Sequence, residues 1–144
     1  MRQYGFLERE SRLVVGDVLR RKRDAAEIPS LVTVETHHRV RDAVSLLHEH
    51  RVSQLPVVSP HDGATVVGAI SERGLLNRAA ADPSRLDAEI VDVMEPPFAS
   101  VSTEDPVREA VDLLVGDQQA LLAIDHGHPA GIVTRTDLLE ALAS

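Results

Sequence analysis

Apolar positions along the chain follow two alternating periods. Val40, Ala43, Val44 and Leu47 fall at helical spacing, and so do Val107, Ala110, Val111 and Leu114. These spacings predict helices over Val40–His50 and Val107–Asp117. Short β-rich runs precede them, near Leu31–Val34 and Ala99–Val101. Thr36 and Thr103 lie upstream of each helix, where a hydroxyl can accept from free amide N–H groups, and Pro106 suits a first turn. After each helix comes a pair of strand-like runs joined by a turn. The first pair is Leu55–Ser59 and Val66–Ser71, around Pro60-His61-Asp62-Gly63. The second is Leu121–Asp125 and Gly131–Thr134, around His126-Gly127-His128-Pro129. Short helices close each half, over Glu72–Ala81 and Thr136–Ala143.

The halves are copies. Val34–Leu47 aligns with Val101–Leu114, sharing Val, Thr, Val, Arg, Ala, Val, Leu and Leu in order. Gly68-Ala69-Ile70-Ser71 with Leu75-Leu76 matches Gly131-Ile132-Val133-Thr134 with Leu138-Leu139. Asp17-Val18-Leu19 matches Asp92-Val93-Met94. The expected class is α/β (α+β), with a β-α-β-β-α unit occurring twice. Residues 1–14 form a leading segment, 15–81 the first repeat and 82–144 the second, with Asp82-Pro83-Ser84 breaking the chain. One unit buries too little to stand alone, so two are expected to pack sheet to sheet about a pseudo-two-fold axis. The helix Gly16–Arg23 is expected to top the first copy and Ile90–Met94 the second.

Composition narrows the chemistry. Apolar residues make up 43% of the 144, but aromatics only 2%, so Val, Leu, Ile and Ala must build the core. No cysteine is present, which removes thiolate chemistry and Cys-ligated metals and is compatible with a cytoplasmic setting. The net charge of −8 argues against nucleic acid and anionic membranes as partners. No run is long enough to span a bilayer, and Met1–Glu10 lacks a signal core. The single lysine, Lys22, sits in Arg20-Arg21-Lys22-Arg23, a run read as a solvated helix end and poor at imine formation. Seven histidines show no i, i+4 pair of metalloprotease type, so they read as solvated loop residues and no metal is expected. No nucleophile elbow or phosphate-cradling glycine loop with lysine is present, so no catalysis is expected.

The string Gly131-Ile132-Val133-Thr134-Arg135-Thr136-Asp137-Leu138-Leu139, set in phase with the repeated helix and hairpin, resembles a CBS domain. The pair resembles a Bateman module over about Val15 to Leu142. Tyr4-Gly5-Phe6-Leu7 with Val15-Gly16-Asp17-Val18-Leu19 further resembles the junction after the catalytic domain of bacterial cystathionine β-synthases. That resemblance implies a C-terminal regulatory module whose parent is an enzyme using pyridoxal phosphate.

The spacing from Thr134 to Asp137 carries its own chemistry. A strand end and a helix start converge there. Free N–H groups suit an anion, Asp137 can accept from both hydroxyls of a ribose, and Thr134 can donate to an acceptor. The same Asp137 is also an ordinary helix-capping residue. The resemblance implies an adenosyl ligand in a cleft between repeats. Its walls are Leu31, Val32, Val52, Gln54, Leu55 and Pro56, with Ile132, Thr134, Thr136 and Asp137 from the second copy. The ligand is AMP or ATP, with Arg135, Arg51 and His50 as phosphate cations, or S-adenosylmethionine, which the cystathionine β-synthase resemblance favours. The related cleft, lined by Phe98, Gln119 and Leu121, keeps Ser71 but has Gly74 where the carboxylate is expected, and should be empty or weak. Expected partners are a second copy of the chain and a catalytic domain, attached or separate. The alternative is a structural dimerisation module with degenerate clefts.

Overall fold

The computed structural model describes residues 13–26, 31–61 and 65–143. Two three-stranded sheets carry the architecture, each with a parallel pair followed by an antiparallel pair. In the first sheet β1 (Val34–Glu35) runs parallel to β2 (Gln54–Val58), which pairs antiparallel with β3 (Val66–Ser71). In the second, β4 (Ala99–Ser102), β5 (Leu121–Asp125) and β6 (His128–Val133) repeat this order. The β5–β6 turn takes His126 at φ 50 and Gly127 at φ 82, the positive-φ pair that tight antiparallel connections favour. It is tighter than expected, so β6 begins at His128. Asp62 and Gly63 of the other turn lie outside the described residues, as do Tyr4 to Leu7.

The helices are α1 (Val15–Ala26), α2 (Val40–His50), α3 (Glu72–Ala81), α4 (Ile90–Val93), α5 (Val107–Leu114) and α6 (Arg135–Leu142). A short 3-10 helix, Pro83–Asp87, occupies the expected break and is capped by Asp82. The helix starts at Val40 and Val107 follow Arg39 and Pro106, so Thr36 and Thr103 do not cap them with their hydroxyls.

Two compact units result, and they do not follow the sequence repeats. One takes the described residues up to Leu31 with those from Ala99 on; the other is Val32–Phe98. The expectation that Gly16–Arg23 tops the first copy is therefore overturned. Val15, Val18 and Leu19 of α1 lie in one core with Val101, Val107, Leu114, Leu121 and Val133. Ile90 and Val93 of α4 lie in the other, with Val34, Val40, Leu55, Val57, Ile70 and Leu75. Each of these two helices thus completes the core of the other repeat.

Backbone hydrogen bonds explain the exchange. The N–H groups of Val15 and Gly16 donate to the carbonyls of Asp105 and Thr103, at 2.9 and 2.8 Å. Those of Ile90 and Val91 donate to His38 and Thr36, at 2.8 and 3.0 Å. In return, Val107 N–H donates to Leu13 and Val40 N–H to Ala88, both at 3.0 Å. Helix starts leave free donors, and here each start is satisfied by the turn before a helix of the other repeat. Because Ile90 is fully buried in this arrangement, Ile90→Ala should cost roughly 2–5 kcal/mol, against a few tenths for an exposed position. Urea unfolding followed by far-UV circular dichroism measures this.

Candidate functional site

Thr134 follows β6 directly and caps α6 in an extended conformation. Its hydroxyl accepts from Asp137 N–H at 3.3 Å, and Asp137 Oδ2 accepts from Thr134 N–H at 2.9 Å. This reciprocal cap satisfies two donors of the helix start and fixes the carboxylate. A third group reaches the same oxygen. Lys22 Nζ donates to Asp137 Oδ2 at 2.9 Å and to the Ile132 carbonyl at 2.8 Å. The Lys22 side chain keeps 24% of its exposure and that of Asp137 10%. Among the described residues no donor is placed on Asp137 Oδ1, which leaves an acceptor beside a fixed cation.

The position of Lys22 corrects the reading of a solvated basic run. Val15, Val18, Leu19 and Lys22 stand at i, i+3, i+4 and i+7, so Lys22 extends the buried stripe of α1. Its aliphatic stem can cover apolar surface while the ammonium reaches polar atoms. The helix runs on to Ala26, with exposed Arg23 in its last turn, as expected of a basic helix end. The spacing was visible in the sequence; the partner was not, because Asp137 lies 115 residues away.

Arg135, expected to meet phosphate, is spent elsewhere. Its Nε donates to the Leu114 carbonyl at 2.7 Å and Nη2 to the Gln118 carbonyl at 2.9 Å. A cation on carbonyls just past a helix C-terminus is favoured by the helix dipole. Arg51 ends α2 in the left-handed conformation and is exposed, while His50 is half-buried.

The remaining expected wall residues divide between the units. Leu31, Ile132, Thr134, Thr136 and Asp137 belong to one, and Val32, Val52, Gln54, Leu55 and Pro56 to the other. Leu55 points into the core of its unit with Val57, so its side chain offers a ligand no surface. Gln54 and Pro56 take the opposite face of β2, by strand alternation. Val32 and Val52 pack partly against the core. Ile132 is buried and Thr136 exposed. Leu121, expected in the second cleft, is a fully buried core residue.

At the matching helix start of α3, Ser71 caps and Gly74 N–H donates to its hydroxyl at 3.0 Å. The missing carboxylate is replaced in space. Ser71 Oγ donates to Glu95 Oε2 at 3.2 Å, and a Cβ at Gly74 would lie 3.0 Å from Glu95 Oε1 and 2.9 Å from Ser71 Oγ. Glu95 is held there by paired backbone bonds with Ala69, at 2.8 and 2.9 Å. Sequence alignment of the copies could not find it, because Glu95 comes from the segment after α4 and not from α3.

Comparison with known proteins agrees with this architecture. The chain is 32% identical over 121 residues to the A-adding tRNA nucleotidyltransferase of Aquifex aeolicus, covering 83% of this chain but 14% of that protein. It is 30% identical over 129 residues to an uncharacterized protein of Methanopyrus kandleri, covering 88% of this chain and 61% of that one. The chain thus spans only part of the length of both. Among solved structures, CBSX2 in complex with AMP superposes with a TM-score of 0.69 at 28% identity, covering 91% of this chain and 96% of that one. A putative signal-transduction protein with CBS domains from Burkholderia ambifaria gives a TM-score of 0.76 at 23% identity, covering 90% and 93%. These relatives do not support the narrower resemblance to a cystathionine β-synthase module. The CBS domain profile matches residues 15–81 and 90–144, and the chain belongs to the CBS domain family.

Proposed function

We propose that this CBS pair is a regulatory module that binds an adenosyl compound at the start of α6 and passes its binding state to an attached or partner enzyme. The observation that carries the reading is the Asp137 carboxylate, held by Thr134, with Lys22 beside it. The second carboxylate oxygen, Oδ1, is the acceptor proposed for ribose hydroxyls. The ammonium next to it favours a ligand with phosphate, AMP or ATP, over the sulfonium of S-adenosylmethionine. The solved CBSX2 complex with AMP, at 28% identity, supports the same ligand class. Among the described residues no catalytic constellation accompanies the site, and a cystathionine β-synthase parent has no support among the relatives named above. A ligand shifts a conformational equilibrium only by its unequal affinity for the two states. Redirecting Lys22 from Asp137 to a ligand phosphate would supply such a difference.

A second copy of the chain is the proposed partner for the outer helix faces. In one unit Leu76 keeps 69% of its exposure and, with Val44, Leu47, Leu75 and Ala79, borders a groove of about 360 Å³. Its repeat equivalent Leu139 keeps 67%. A paired Leu in each copy thus sends one side chain inward and one outward, and exposed leucines at matching positions suit self-association.

Thermal unfolding with AMP, ADP, ATP and S-adenosylmethionine in turn tests the ligand. At a hundredfold excess over Kd, binding should add about 2.7 kcal/mol and raise Tm by several degrees. Asp137→Asn keeps an acceptor for the cap and should lower affinity at least tenfold. No shift with any of the four would reject the reading. For the partner, sedimentation equilibrium should give a dimer that Leu76→Asp with Leu139→Asp converts to monomer. A wild-type monomer at every concentration would exclude it.

A further inference from the structure

We infer that the turn leading into α2 is a binding site for a divalent metal ion of the zinc type, formed by Glu35, His37 and His38. Their ligand atoms all lie within 4.8 Å of one another. Glu35 Oε2 stands 3.4 Å from His37 Nε2 and 3.8 Å from His38 Nε2. Zinc bonds of 2.0–2.1 Å in a tetrahedron put neighbouring ligand atoms about 3.3 Å apart. One edge of the triangle is already at that length, and the others close by small side-chain rotations. The two rings are 4.7 Å apart at their centroids and tilted by 46°, so both can turn towards one point. Two imidazoles and a carboxylate, with a further position open to water, form a donor set suited to zinc and its neighbours.

The backbone beneath the three residues is already fixed. Glu35 ends β1 in register with Val58, and Thr36 N–H donates to the Val58 carbonyl at 3.2 Å. His38 N–H donates to the Glu35 carbonyl at 3.1 Å, which closes the turn. The carbonyls of Thr36 and His38 accept from Val91 and Ile90 at the start of α4. Ligands carried on a pinned turn lose little freedom on binding. All three side chains are partly or largely open to solvent, so an ion can reach them.

Comparison of the two copies shows that the donor set is not a requirement of the turn. The equivalent residues are Ser102, Glu104 and Asp105, and Ser102 N–H donates to Asp105 Oδ2 at 2.8 Å. His38 plays the same part through Nδ1, which accepts from Glu35 N–H at 3.2 Å. A carboxylate serves that bond in one copy, yet the other carries an imidazole with a second nitrogen facing Glu35 and His37. In the neutral ring Nδ1 accepts, so Nε2 holds the proton. Coordination through Nε2 moves that proton to Nδ1 and gives up the Glu35 N–H bond. The ion thus exchanges one turn bond for three ligands and braces the turn that holds α4.

Titration calorimetry of the whole chain with zinc chloride, in a buffer that does not bind metal, is the test. One ion should bind per chain. Glu35→Gln, His37→Ala and His38→Asn, which keeps an acceptor for the turn, should each weaken binding at least tenfold. Circular dichroism confirms that each variant is folded. His126→Ala with His128→Ala, in the β5–β6 turn, should change nothing. Cobalt(II) should give the intense visible bands of tetrahedral coordination, lost in His37→Ala. Absence of saturable binding, weak octahedral bands alone, or equal affinity in His37→Ala would overturn the assignment, as would loss of binding in the His126 and His128 variant.

Discussion

The structure depends on how two helices, α1 and α4, start. Val15 and Gly16, and likewise Ile90 and Val91, carry amide groups that no turn of their own helix can satisfy. Each pair finds carbonyls in the turn before a helix of the other repeat. A buried amide left unpaired would cost more than a bond gains, so these contacts set where the helices dock. Once docked, Val15, Val18 and Leu19 fill one core, and Ile90 and Val93 the other. Neither sheet has a complete core from its own repeat. Each compact unit therefore joins the sheet of one repeat to the leading helix of the other.

The same exchange produces the difference between the two helix starts. Because α1 packs on the second sheet, its buried stripe delivers Lys22 to Asp137. Because α4 packs on the first, the segment after it delivers Glu95 to Ser71 and fills the space above Gly74. One helix start therefore holds a carboxylate with a cation beside it. The other holds a carboxylate without one among the described residues. Helix dipoles favour negative charge at both, and only the first adds a full positive charge to the point where a phosphate could sit. Sequence identity between the copies hides this, since the deciding groups arrive from outside the aligned helices.

Much of the fold was legible in the pattern of apolar residues. Val40, Ala43 and Leu47, and Val107, Ala110 and Leu114, are buried along the faces their spacing marks. The repeated Leu-Leu pairs place Leu75 and Leu138 inside and leave Leu76 and Leu139 outside, as a helix of 3.6 residues per turn requires. The hairpins and closing helices fall within a few residues of their expected bounds. Thr134 and Asp137 stand together because their spacing of three is local.

What the sequence determined by itself was whatever short-range geometry controls: helix faces, strand pairs, the Thr134–Asp137 cap and the presence of two copies. Tertiary structure alone decided the partners that come from far along the chain. It moved α1 and α4 to the opposite repeats, and took Lys22 out of a basic run and set it on Asp137. It also turned Arg135 onto helix-end carbonyls and brought Glu95 to Gly74. It gathered Glu35, His37 and His38, neighbours in sequence, into one triangle, because strand β1 stops and the chain turns there. Periodicity tells which face of an element is buried; only packing tells against what.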